Sequence, residues 1–124
     1  MATVTTAALT ACSALIGASF TYLAVGTGTT AESATHTGLV TEVAASGLSR
    51  ATGTVTYEDT THTDDTVQVV KTWTVTGTVT ISEVGLFNAS SSGTMAFREL
   101  LSPTKSVVSG DTYALTAKLI LVDA

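Results

Sequence analysis

Charge is what this chain has least of. Only 12% of its 124 residues are Asp, Glu, Lys or Arg, about half the usual quarter. The five basic residues stand apart from one another against ten acidic ones, for a net charge of −5. Nucleic-acid binding is therefore not expected, because phosphate contacts require a basic patch. A single cysteine, Cys12, excludes an internal disulfide, and without other Cys or clustered His it excludes structural zinc. Cys12 reads as a small core residue of a helix. Long hydrophobic runs are also missing. The apolar stretch from Ala7 to Val25 is broken by Thr10, Ser13, Gly17, Ser19 and Thr21 and has no Lys or Arg before it, so neither a targeting segment nor a membrane span is expected.

What is abundant is threonine, roughly a fifth of the chain. Thr is β-branched and polar and suits the solvated face of a strand. The length fits one domain, 1–124, that buries about two-thirds of its unfolded surface. Few charges keep such a surface apart from its neighbours, which favours a part of an assembly over a lone monomer.

The stretch Thr78 to Arg98 reads as a central hairpin, two apolar strands joined by the polar turn Ser90-Ser91-Ser92-Gly93. Val79 and Ile81 fall on odd positions, whereas Val84 and Leu86 fall on even ones, so a strict alternation puts the pairs on opposite faces. Either both faces are buried, or a β-bulge near Glu83-Val84-Gly85 resets the phase. Asn88-Ala89-Ser90 is a glycosylation sequon that matters only in a eukaryotic secretory path.

Around this hairpin the other elements fall in order. Thr5-Thr6 caps a helix over about 5–17, with Leu9, Cys12, Leu15 and Ile16 as its apolar stripe and Gly17 as its stop. Sheet structure is expected over about 20–123. Phe20 to Val25 is its first strand; Gly26 to Thr30 is a plain turn, since Gly-x-Gly has no third Gly, Lys or periodic helix to make a phosphate cradle. Glu32 to Ala45 reads as a short helix or an irregular cover. Arg50 to Tyr57 alternates as a strand with Val55 and Tyr57 inward, and Thr66 to Thr76 points Val67, Val69, Trp73 and Val75 inward, with Lys71 breaking the set near a rim. Met95, Phe97 and Leu101 share a face, and Pro103 is expected to end their strand. The last strand, Thr112 to Val122, turns Tyr113, Leu115, Ala117, Leu119 and Leu121 inward; Ala114, Ile120 and Val122 point the other way, so its end is expected to be covered on both sides. Together these predict a mainly β fold, an antiparallel β-sandwich of about six strands with an N-terminal α-helix at its edge or end.

One loop gathers groups capable of chemistry. Glu58, Asp59, His62, Asp64 and Asp65 lie within eight residues, an oxygen-rich set that points to a calcium- or carbohydrate-binding module, but it lacks the sharp-turning Gly and closing Glu of a calcium loop. A solvated hairpin tip is the simpler reading. His36, His62 and the many hydroxyls form no nucleophile signature. No catalytic residue, cofactor or enzymatic activity is expected.

Tyr22-Leu23-Ala24-Val25-Gly26-Thr27-Gly28-Thr29-Thr30, then Leu39, Glu42-Val43 and Arg50, then Ile81 to Phe87 with Gly93, and Gly110-Asp111 before the last strand, resemble small virion structural proteins of tailed bacteriophages, of tail-fibre, minor structural or head decoration type. The resemblance implies a compact β domain, assembled in the host cytoplasm into the virion, with no catalytic residues to carry over. The chain lacks the long repetitive shaft of a fibre, which turns the expectation toward capsid decoration, with a tail, baseplate or fibre-attachment part as the alternative. Expected partners are major capsid or tail proteins and copies of the chain itself, as a trimer or other cyclic oligomer. Val70, Ala114, Ile120 and Val122, apolar on strand faces turned away from the core, are the candidate interface, with the N-terminal helix as the competing cover.

Overall fold

The computed structural model describes residues 2–122; Met1, Asp123 and Ala124, the ends of the expected domain, lie outside them. A helix, α1 (Thr6–Ser19), precedes seven strands: β1 (Tyr22–Gly26), β2 (Ala51–Thr52), β3 (Thr54–Glu58), β4 (Thr66–Thr74), β5 (Val79–Phe87), β6 (Met95–Val107) and β7 (Thr112–Ile120). They form two antiparallel sheets, β2-β1-β5-β6 and β3-β4-β7. The expected sandwich with an N-terminal helix is what the chain builds. Leu23, Val25, Ile81, Val84 and Leu86 from one sheet meet Val67, Val69, Trp73, Leu115 and Ala117 from the other.

The phase change in β5 resolves in both expected ways. Its pairing with β6 shifts register between Ile81 and Glu83, so Ile81 and Val84 both reach the core despite their opposite parity. All seven residues from Ile81 to Phe87 are buried. Glu83, Gly85 and Phe87 fall on the outer face of the sheet, and the segment between β1 and β2 lies over them. That segment is irregular, with one isolated bridge between Gly26 and Glu42.

Four expectations about elements are corrected. The Arg50 to Tyr57 stretch is two strands in different sheets: at Gly53 the chain leaves β1, its N–H donating to the Thr21 carbonyl, and joins β4. Gly53 has no side chain because Val69 and the Val70 carbonyl stand where a Cβ would be. Tyr57 lies on the same face as its partner Val67, as expected, but at the margin of the core, 39% exposed. Pro103 does not end its strand, which runs on to Val107. Pro103 falls where β6 slips register against β5, between the partners Leu100 and Lys105, and β6 is an edge strand, so the missing N–H breaks no ladder bond.

The third correction concerns α1. Thr5 caps it, its side chain accepting from the Ala8 N–H, but Gly17 does not stop it. The buried ridge is Leu9, Ser13 and Gly17, and Cys12 is exposed, as is Leu15 at 70%. Small residues set this choice, because a Cβ at Gly17 would run into the Tyr57 ring. The helix packs on β3 and β4 on the face of Tyr57, which is paired with Val67. Fourth, the end of β7 is not covered on both sides: Ile120 is 45% and Val122 69% exposed.

Candidate functional site

The acidic loop after β3 is built around one residue. Asp65 is fully buried. Its Oδ1 accepts from the Thr60 N–H and the Thr66 hydroxyl, and its Oδ2 from the N–H groups of Thr61 and His62, at 2.9–3.0 Å. Burial pushes this carboxyl up, but the hydrogen bonds outweigh it and hold it far below the ordinary carboxylate range. Two of the other acids, Asp59 and Glu58, are engaged as well. Asp59 accepts from the Asp64 N–H, which holds Asp64 at its φ of 49°, and Glu58 pairs with Lys118 at 2.9 Å. His62 lies 3.4 Å from the Thr6 hydroxyl, and the Thr63 carbonyl accepts from Thr10, so the loop supports the first turns of α1. The candidate residues thus come together as a stapled turn. Among the described residues no three His, Cys, Asp or Glu side chains form a group able to hold a metal.

A second polar centre is the one that reading the sequence missed. Glu83, in the middle of β5, is fully buried and bonds Arg98 of β6, Nε to Oε1, at 2.7 Å. The same carboxylate accepts from the N–H groups of Val40, Thr41 and Gly28 at 2.7–2.8 Å. Ser82 next to it donates to the Gly28 carbonyl at 2.9 Å. Burial raises the Glu83 carboxyl; Arg98 and the three N–H groups more than reverse this and leave it lowered. Gly28 is required by contact: a Cβ there would overlap the Glu83 carboxylate and Val40. The signal available in the sequence was a Glu inside the apolar run Ile81 to Phe87 of a chain poor in charge.

Arg50 fastens the other end of the same cover. It grips Glu42 through Nε and Nη2 at 3.1 and 2.6 Å, and donates from Nη1 to the carbonyls of Ala89 and Ser92. Its guanidinium lies 3.6 Å from the centre of the Phe87 ring. Gly28, Glu42, Arg50 and Glu83, all within the stretches that resemble phage virion proteins, are therefore the residues that tie the irregular segment to the sheet.

The four candidate interface residues occupy the far side of the molecule. Val70, Ala114 and Ile120 lie on the outer face of the three-stranded sheet, where the register sets Val70 beside Thr54 and Thr116, and Ala114 beside Thr72. Val70 is half-buried and Ala114 exposed. α1 does not cover this face, since it packs on the Tyr57 side.

A two-sheet β-sandwich whose buried acids are spent on its own backbone is a scaffold-type structural module. Comparison with known families makes this specific: the family model described as Podophage GP4 fiber I protein gp80 matches residues 3–123. The chain belongs to that family of bacteriophage virion proteins, and its place is in the virion. No curated protein matches it.

Proposed function

We propose that this protein is a non-enzymatic, fibre-type structural subunit on the tail side of a phage particle, working through packing on copies of itself and on neighbouring virion proteins. The carrying observation is the match to a fiber protein family over nearly the whole chain. The absence of a repetitive shaft, which had favoured capsid decoration, fits a fibre-attachment module equally well, and the family's description favours the fibre position. Gold labelling of purified virions tests it. Label at the tail or its fibres is expected; label spread over the capsid supports the decoration reading instead, and absence from the particles overturns both.

The self-association in this proposal uses the outer face of β3-β4-β7. That face is rich in threonine and carries Val70, Ala114 and Ile120, with Val122 just beyond. A cyclic oligomer, a trimer in particular, suits a part that must match rotational symmetry on its particle.

A further inference from the structure

One edge of the three-stranded sheet, β7, is open along its whole length. At the two ends of its ladder with β4, the Val75 N–H bonds the Asp111 carbonyl and the Leu121 N–H bonds the Asp65 carbonyl. Odd-numbered residues of β7 therefore spend their backbone groups on β4, and even-numbered ones turn theirs outward. The N–H and C=O groups of Thr112, Ala114, Thr116, Lys118 and Ile120 have no hydrogen-bond partner among the described residues.

The other edges are short or guarded. β2 has two residues and β3 five. On β6 the Leu100 N–H is taken by Glu32, and Pro103 has no N–H to offer. β7 runs for nine residues with no proline, no register shift against β4 and one charge, Lys118. That charge does not guard the edge, because its ammonium is drawn back across the sheet to Glu58 of β3, at 2.9 Å. Beside β7 lies a cavity of about 370 Å³ whose apolar lining is Val84, Phe97, Leu115, Ala117 and Leu119, so a further strand on this edge would lie next to a partly apolar hollow.

We propose that β7 pairs with β7 of a second copy of this chain, antiparallel about a two-fold axis through Thr116. The strand is its own complement. With Thr116 opposite itself, all nine residues are paired. Thr112 then meets Ile120 and Ala114 meets Lys118 on the outer face, while Tyr113 meets Leu119 and Leu115 meets Ala117 on the core side. No like charges stand opposite one another. A shifted register shortens the ladder, and a shift toward the C-terminus also brings the two Lys118 side chains together. The outward residues of the two strands exchange about ten hydrogen bonds, the number a standard interface carries, and the two three-stranded sheets merge into one. This contact goes beyond the outer-face association proposed above, and Ile120 takes part in both.

Amide hydrogen exchange of the full chain, followed by NMR at about 50 μM and about 1 mM, tests this. The amides of Ala114, Thr116, Lys118 and Ile120 should slow about threefold at the higher concentration, as a dimer with a dissociation constant of about 0.1 mM requires, while those of the odd-numbered residues, already held by β4, change less. Thr116→Lys and Thr116→Asp, at an exposed position, each set like charges face to face and should weaken self-association about fivefold, with circular dichroism unchanged. An equimolar mixture of the two variants should associate at least as well as the parent, since only a two-fold axis through position 116 sets Lys against Asp. Even-numbered amides that stay open at both concentrations, or a mixture no better than either variant alone, would overturn the proposal, the first leaving the edge to a strand of another virion protein. The fibre-type reading, which rests on where virions are labelled, would stand in either case.

Discussion

Glu83 and Arg98 form a salt bridge at 2.7 Å in which both side chains are sealed from solvent, 0% and 2% exposed. Three backbone N–H groups from the segment between β1 and β2 close on the same carboxylate, so a single side chain joins two neighbouring strands and their cover.

Glu83→Gln keeps the shape and removes the charge, which leaves Arg98 uncompensated and turns an amide toward N–H donors. Breaking a buried pair this way costs about 3–5 kcal/mol, and urea unfolding followed by circular dichroism will measure it. The double variant Glu83→Leu with Arg98→Met should lose less than the sum of the two single variants, since an apolar pair leaves no unpaired charge.

Gly28→Ala tests the same centre from the other side. Its methyl must displace the Glu83 carboxylate or Val40, at a cost of about 1–3 kcal/mol for an overpacked site. A change within about 0.5 kcal/mol, ordinary for a surface position, would show that the segment is not held as described.

Acid should unfold the protein through Asp65 and Glu83. Both have folded-state pKa values below their unfolded ones, so each contributes stability that is fully present above the unfolded carboxylate range, near 4, and is lost as pH falls from there toward the depressed values. Melting temperature should stay level from pH 7 to about 5 and fall below about 4. Asp65→Asn should flatten that fall as well as lower the plateau.

Calcium should not stabilise the loop of Glu58, Asp59, His62, Asp64 and Asp65, because Asp59 and Asp65 already bond backbone groups and Glu58 bonds Lys118. A ligand at about a hundredfold its dissociation constant adds about 2.7 kcal/mol to the folded state, a rise of several degrees that thermal melts with and without excess calcium would detect. Such a rise would restore the binding-module reading.

Ile120→Asp separates the interface from the core. With Ile120 45% exposed, the variant should fold with a stability change within about 0.5 kcal/mol, yet lose any self-association that light scattering finds in the parent chain. An associated parent whose variant stays associated would remove the outer sheet face from the proposal.

The sequence by itself determined the β-sandwich, the cap at Thr5, the inward set of β4 and the likeness to phage virion proteins, because period-two alternation, turn residues and motif order are local properties. It also carried the phase break in β5, for one residue too many in an alternation can be counted. Tertiary structure alone decided the rest. An evenly apolar helix has no preferred face until something packs on it, and Tyr57 chose the Gly17 side over Cys12 and Leu15. The continuous alternation from Arg50 to Tyr57 hid a change of sheet, since crossing between layers at Gly53 leaves the pattern intact. Pro103 was tolerable because it sits in the register slip of β6 against β5, on a strand with no neighbour on its outer edge. The joining of Glu83 to Gly28, Val40, Thr41 and Arg98 could not be read from spacing, as partners 15 to 55 residues away meet only once the segment has closed over β5.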